Sequence, residues 1–305
     1  MADTKTPVIL DTDIGGDIDD TWALGMMLKC PELDVKMVVT DTADTVYRAK
    51  IVAKVLEIAG RTDVPVAVGI RQKSDGARER QAKWVGEYDL ASYPGTVHED
   101  GVRALVDALT SAPDPVTLVC IGPVPNVARA LELEPGIAPR THFVGMHGSI
   151  DKGHMNSDKP IAEWNVRADP ASCRAVFEAP WKSMTITPLD TCGRVKLTGE
   201  DYLAVLNGGD DVTRAVIDNY RVWSEGHDRI DPGTHSSTLF DTVAVHLAFS
   251  REFLKMEEAG VRVTDEGFTV RDEAARRMQV AIDWTDLDAY HAYLARRMTA
   301  PTVAR

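Results

Sequence analysis

Cysteine is scarce in this chain. Its 305 residues include four, Cys30, Cys120, Cys173 and Cys192, and no two of them form a Cys-x-x-Cys pair. That spacing excludes a clustered-thiolate zinc site and a dithiol redox motif, and it predicts buried free thiols in a reducing compartment. Long apolar runs are missing too. No stretch reaches the roughly 20 apolar residues of a membrane-spanning helix, and the opening Met-Ala-Asp-Thr-Lys-Thr has no apolar centre of the kind a secretion signal needs. The expectation is a soluble, cytoplasmic protein. Positive charge is in deficit: 34 Lys and Arg face 47 Asp and Glu, a formal net charge of −13. Nucleic acid and anionic membrane surfaces are therefore poor partners, and a neutral small molecule suits the chain better than a polyphosphate. Internal repeats and low-complexity segments are absent as well. A hydrophobic content of 44% is ample for one large α/β domain spanning residues 1–305.

What the chain does have is concentrated near its start. Residues 7–20 read Pro-Val-Ile-Leu-Asp-Thr-Asp-Ile-Gly-Gly-Asp-Ile-Asp-Asp, so the apolar run Val8–Leu10 delivers five carboxylates: Asp11, Asp13, Asp17, Asp19 and Asp20. The run reads as a buried parallel strand and the residues from Trp22 to Leu28 as the helix that follows. The acids then lie at the C-terminal end of a strand, where open α/β sheets bind ligands. N-capping alone would need one acid, not five. An EF-hand fails because the twelfth position counted from Asp11 is Trp22 instead of Glu. A hard-cation site for Ca²⁺ or Mg²⁺ remains.

Further along, strand and helix signals alternate. Leu33–Val39 reads as a strand, Val46–Ala59 as a helix stopped by Gly60, and Val64–Gly69 as a strand. Strands at Val116–Ile121, Phe143–Met146 and Met184–Pro188 continue the pattern. Such alternation predicts βαβ units and an open, mostly parallel Rossmann-like sheet flanked by helices, with the site at the C-terminal strand ends. Residues 71–97 break the rhythm, and a connection this long reads either as a flap near the site mouth or as an ordinary surface excursion. Asp265-Glu266-Gly267 is placed as a hairpin turn, Asp286–Met298 as a closing helix, and Pro301–Arg305 as a frayed end.

Asp-Thr-Asp-x-Gly at the end of the first strand, followed closely by Asp19-Asp20, resembles the opening signature of the nucleoside hydrolases. The segment Ala162-Glu163-Trp164-Asn165, with Asp169-Pro170 after it, is similar to a second signature of that family, and the similarity runs from Val8 to about Leu247. The resemblance implies an α/β enzyme that splits N-ribosidic bonds with one Ca²⁺ and is often a homodimer or homotetramer. It makes Asp13 both ligand and general base, with Asp20, Asp241 and the Pro125 carbonyl completing the protein ligands. Asp19, Asp44, Glu163, Asn165 and Asp241 would hold the ribose. Glu163 and Asn165, two apart, would point to one side of an extended segment. Tyr220, Trp223 and His227 fall on one helical face, as core packing or as a wall of the nucleobase pocket.

The chain also departs from the family. Gly16-Asp17-Ile18 lengthens the first loop, His147 stands where glycine is common, Ser157 where an Asn is common, and Phe240 precedes Asp241 where a His often protonates the leaving base. A leaving-group acid would then be His235 or His227, or that step is absent. Two rival readings stay open. A haloacid-dehalogenase-like phosphohydrolase also begins with a strand and Asp-x-Asp, but leaves Asp19-Asp20 and Glu163–Asn165 unexplained. A calcium-dependent ribose- or nucleoside-binding protein would keep the acids without catalysis.

Overall fold

Val8, Ile9 and Leu10 project alternately from the two faces of one strand, and that alternation divides the core in two. Val8, Leu10, Val38 and Val119 join one apolar cluster, whereas Ile9, Met37, Val39, Leu118 and Cys120 join another. Each such aliphatic side chain, once fully buried, contributes about 1.5–3 kcal/mol. A sheet apolar on both faces must be covered on both. The computed structural model describes residues 5–72, 79–225, 227 and 230–304.

In the first half of the chain the elements are β1 (Thr6–Thr12), α1 (Asp19–Met27), β2 (Leu33–Thr40), α2 (Thr45–Ile58), β3 (Val66–Val68), α3 (Ala82–Val85), β4 (Val97–His98), α4 (Gly101–Ser111), β5 (Thr117–Cys120), α5 (Pro125–Leu133) and β6 (His142–Met146). In the second half come α6 (Trp164–Ala168), α7 (Pro170–Glu178), β7 (Ser183–Thr187), α8 (Leu189–Cys192), α9 (Gly199–Asn207), α10 (Asp211–Ser224), α11 (Thr242–Leu247), β8 (Leu254–Val263), β9 (Thr269–Arg271), β10 (Arg277–Trp284) and α12 (Leu287–Thr299).

The strands form one 10-stranded sheet in the order β4-β3-β2-β1-β5-β6-β7-β10-β8-β9. Strands from β4 to β10 in that order run parallel, and β8 and β9 add an antiparallel edge. The chain winds outward from β1 to β4, then returns to β5 and winds the other way. The order therefore reverses between β1 and β5, the switch point at which open sheets leave a crevice. Every residue of α1 is buried. Gly25 lets this helix sit against α10, since a Cβ there would meet the Val216 side chain at 2.8 Å.

The expected open parallel sheet is found, and so is the hairpin, where Gly267 turns with φ +82°. A Cβ on Gly267 would lie 2.6 Å from the Arg167 Cα, so the hairpin tip packs directly on α6. Thr269 on β9 accepts a hydrogen bond through Oγ1 from the Ser149 amide at 2.9 Å. The antiparallel edge thus buttresses the loop between β6 and α6.

The end of the chain is not frayed as far as Val303, and Arg305 lies outside the described residues. The Thr302 amide and hydroxyl donate to Asp210 at 2.7 and 2.6 Å, and the Val303 amide donates to the Leu28 carbonyl at 3.0 Å. Asp210 also pairs with the fully buried Lys29 ammonium at 2.6 Å. Partial burial pushes the Asp210 carboxyl up, but the Lys29 and Thr302 hydrogen bonds outweigh it and hold the group below its ordinary value.

Asp210→Ala is expected to cost about 3 kcal/mol, because it leaves a buried ammonium without its counter-charge. A urea midpoint lowered at unchanged slope would report this. A depressed folded pKa stabilises above the unfolded value, so the difference between wild type and variant should persist at neutral pH and shrink below about pH 4.

Candidate active site

Three loops meet over the crevice: the one after β1, the one between β6 and α6, and the one that leads into α11. They enclose a cavity of about 380 Å³, a size that suits a small organic ligand. Asp13, Asp17, Asp19, Asp20, Glu163 and Asp241 supply its acids, and Arg48, Arg80, Arg167, His154 and His227 supply its basic groups.

Asp19 and Asp20 open α1, where the helix dipole favours negative charge. Asp241 precedes α11 and makes no capping bond. One carboxylate oxygen from each of these three buried residues lies within 4.8 Å of the others, close enough to share a cation. Asp20 is oriented by the Thr12 hydroxyl, which donates to it at 2.5 Å. Burial raises the carboxyl pKa of all three well above the usual range, and neighbouring carboxylates raise it further: Asp17 and Asp13 for Asp19, Asp13 and Asp19 for Asp20, and Asp19 and Asp20 for Asp241. Asp13 lies on the same cavity wall but outside the tight trio, 3.7 Å from the Arg48 guanidinium. Burial raises its carboxyl too, and Arg48 opposes that rise. Arg48 is itself buried and donates to the Thr42 and Ile14 carbonyls at 3.0 and 2.8 Å. It ties the β1 and β2 loops together beside the acids.

Behind this layer lies a second acidic pair. Burial lifts the Asp11 carboxyl to about 6, while Asp41 is pushed well up by burial and by Asp11 beside it. Asn126 donates to Asp11 at 2.9 Å and to the Thr40 carbonyl at 3.1 Å, which stitches β1, β2 and α5 together.

Glu163 and Asn165 reach the cavity in a different way from the extended pairing expected of them. Glu163 is the N-cap of α6, and its carboxylate accepts from the Asn165 amide at 2.7 Å and the Gly148 amide at 2.9 Å. Burial still lifts its pKa to about 7 against those hydrogen bonds. Asn165 sits in the helix and donates through Nδ2 to the Ile121 and Met146 carbonyls at 3.0 and 2.9 Å, which leaves its Oδ1 as the free polar atom. Glu is not among the usual N-cap residues; the converging Gly148 and Asn165 amides make it one here and displace the extended pairing.

The cavity lining does not include four other expected site residues, Pro125, Asp44, His235 and Tyr220. Pro125 is the first residue of α5 and is not on the cavity wall. Asp44 caps α2 through the Tyr47 amide at 2.9 Å and pairs with Arg71 at 3.1 Å, also outside the wall. His235 turns away, with Nδ1 against the Ser236 carbonyl at 2.9 Å, and its backbone bridges to Thr198. The aromatic stripe divides. Tyr220 is core, fully buried with its hydroxyl on the His235 carbonyl. Trp223 and His227 line the cavity, stacked with ring centroids 3.9 Å apart. His227 follows the end of α10 and is not part of that helix.

Several wall residues carried no clear signal: Arg48, His154, Trp164, Arg167 and Arg80. Arg80 comes from the 71–97 excursion, which does reach the site at this point; residues 73–78 of that stretch lie outside the described ones. The flanking Gln81 is fully buried and fixes the excursion, donating to the Asp17 carbonyl at 2.8 Å and accepting from Thr21 and Asn219 at 3.0 and 2.7 Å.

Comparison with known proteins places this geometry. A family model described as "Inosine-uridine preferring nucleoside hydrolase" matches residues 8–293. A relative named non-specific ribonucleoside hydrolase RihC, from Escherichia coli O1:K1 / APEC, is 34% identical over 229 residues, 71% of this chain and 73% of the relative. The protein of the same name from Escherichia fergusonii is 32% identical over the same shares. Among solved structures, a plant nucleoside hydrolase, PpNRh1, superimposes with a TM-score of 0.80 at 23% identity, covering 98% of this chain and all (100%) of the other. A purine-preferring ribonucleoside hydrolase from Gardnerella vaginalis gives 0.77 at 20% identity, again over 98% and 100%.

The acid trio has a measurable signature. A carboxyl whose pKa is raised by folding destabilises the folded state as pH climbs through that raised value. In chelator at pH 7, Asp20→Asn should therefore raise the unfolding free energy, and the gain should vanish toward pH 4. With a divalent cation present, the order should reverse, because the variant loses the stabilisation that cation binding brings. Denaturation midpoints in the two buffers check both signs.

Proposed function

The chain belongs to the inosine-uridine preferring nucleoside hydrolase family, and from that membership we propose that it hydrolyses the N-glycosidic bond of ribonucleosides, releasing free base and ribose, with Ca²⁺ in the acid cluster. The observation that carries this reading is the convergence of Asp13, Asp19, Asp20, Asp241, Glu163 and Asn165 on one cavity of nucleoside size. The match along residues 8–293 leaves no room for the phosphohydrolase alternative.

The donor set fits a hard cation. Three carboxylates at mutual reach and further acids beside them bear more negative charge than Arg48 offsets, and oxygen ligands alone suit Ca²⁺. Asp20 and Asp241 would hold the ion, with Asp13 alongside and Asp19 shared between the ion and the sugar. A bound Ca²⁺ would orient a water and make it more acidic.

The remaining work falls to the chain. Asp13 accepts the proton of the attacking water; burial raises its carboxyl above the ordinary value, which makes it a stronger base, and Arg48 opposes that rise. Glu163, fixed by backbone amides, accepts from a ribose hydroxyl with its remaining lone pairs, and Asn165 Oδ1 accepts from another. Neither needs to move as the sugar takes on oxocarbenium character, so both hold the ring from ground state to transition state. The negative lining also attracts the positive charge that develops at C1′. Trp164, partly exposed at the mouth, shields the sugar side from water. Four free, buried cysteines support a reducing, cytoplasmic setting. Among the described residues no helix is long and apolar enough to cross a membrane.

Release of reducing ribose from inosine, adenosine, guanosine, uridine and cytidine tests the reading. Wild type with Ca²⁺ should turn over at least one of them, and Asp13→Ala should lower kcat by about 10²–10⁴-fold. A wild-type protein that binds Ca²⁺ and nucleosides yet releases no ribose would instead be a binding protein.

A further inference from the structure

Phe240, beside Asp241 on the cavity wall, is apolar and can give no proton to a leaving base. The two histidines on the cavity wall are not equal as proton donors. His154 is exposed and packs edge-on against Phe240 with centroids 6.0 Å apart. His227 has both ring nitrogens engaged. Its Nδ1 faces the Trp223 carbonyl at 3.1 Å, an atom that can only accept, so this nitrogen donates. Its Nε2 is in hydrogen-bond contact with Arg80 Nη1, a group that can only donate, so this nitrogen accepts. Neither nitrogen retains a proton for a ligand.

The charge at this wall belongs to Arg80. Its guanidinium has five N–H donors, of which His227 takes one at Nη1. Its main chain is fixed by the Arg80 amide on the Gly15 carbonyl at 3.1 Å and by the buried Gln81 that follows. The platform beneath is fixed as well, since the Trp223 indole donates to the Gly16 carbonyl at 3.2 Å while stacking on His227. The lengthened first loop thus serves a purpose: Gly15, Gly16 and Asp17 anchor Arg80, Trp223 and Gln81, and Asp17 adds a carboxylate that attracts Arg80.

We propose that Arg80, oriented by His227, binds the departing base and stabilises it as an anion, in place of a general acid. This rests on the hydrolase reading above. When the C1′–N bond breaks, its electron pair goes to the base nitrogen, and water adds to C1′ while its proton passes to Asp13. The guanidinium, too weak an acid to give up a proton, balances the new negative charge by donating to it, and the base takes a proton from solvent after release. Arg80 is a catalytic residue in this scheme and His227 a positioning residue. The scheme selects its substrate. A 6-oxopurine offers adjacent O6 and N7 acceptors that suit two guanidinium donors, whereas adenine presents an N6 amino donor and leaves well only when protonated. Inosine and guanosine should therefore exceed adenosine in kcat/KM by about 10-fold or more.

The test compares wild type, Arg80→Ala, Arg80→Lys and His227→Ala on inosine, adenosine and 4-nitrophenyl β-D-ribofuranoside, whose phenolate departs without help. Arg80→Ala should lose about 10²-fold in kcat on inosine but less than about 10-fold on the nitrophenyl riboside, and its preference for inosine over adenosine should collapse. Arg80→Lys should recover part of the inosine rate, and His227→Ala should show the same substrate pattern as Arg80→Ala in milder form. Equal losses on inosine and the nitrophenyl riboside, or an undiminished inosine rate in Arg80→Ala, would overturn the assignment of Arg80. Wild type inactive on all three substrates would overturn the hydrolase reading itself.

Discussion

Crowding of carboxylates is the constraint that shapes this molecule. Asp13, Asp19, Asp20 and Asp241 meet in a cavity where burial and repulsion both oppose their charge. Such an arrangement persists only if the rest of the fold holds it in place, and the surroundings show how. The N-terminus of α1 carries Asp19 and Asp20 on its positive end. Arg48 places one buried cation beside Asp13. Backbone amides bind the Glu163 carboxylate from two directions. None of these neutralises the cluster, and the residual charge leaves a site that could hold a cation.

The scaffold gives this cluster its rigidity. Reversal of strand order between β1 and β5 opens the crevice, and helices on both faces keep the strands from moving apart. Side chains then stitch the loop ends together. Asn126 joins the ends of β1 and β2, and Asp190 accepts three amides of residues 150–152 at 2.7–3.1 Å, which fixes the start of the β6–α6 loop. From the far side, the β8–β9 hairpin leans on that loop through Thr269 and on α6 through Gly267. The antiparallel edge of the sheet is thus coupled to the Glu163 end of the cavity, although it contributes nothing to its lining.

On the proposed reading, chemistry is divided between two parts of the same cavity. The acids and the amide-fixed Glu163 suit a sugar, which needs acceptors for its hydroxyls and negative charge near a carbon becoming positive. The Arg80, His227 and Trp223 wall suits a group becoming negative. Placing donors for one and acceptors for the other on separate rigid elements lets each be preorganised without neutralising its neighbour. Arg48, the cation beside Asp13, is fixed in place by its bonds to Thr42 and Ile14.

The amino-acid order alone determined the sheet and its polarity. Val8–Leu10, Leu33–Val39 and Val116–Ile121 are short apolar runs separated by helical periodicity, and local pattern is enough to make them parallel strands with acids at one end. It also pointed to residues that the fold brings together, since Asp13, Asp19, Asp20, Glu163, Asn165 and Asp241 do line one cavity. Tertiary structure alone decided three things. It made Glu163 a helix cap rather than a member of an extended pair, because amides of Gly148 and Asn165 converge on it. It sent Asp44 to a cap and His235 to a backbone carbonyl, because nearby donors and acceptors took their side chains first. And it brought Arg80 from an irregular excursion onto His227, some 147 residues later in the chain. Periodicity reports on neighbours three or four residues apart, and a contact across that separation leaves no trace in it; only the packed fold brings the two together.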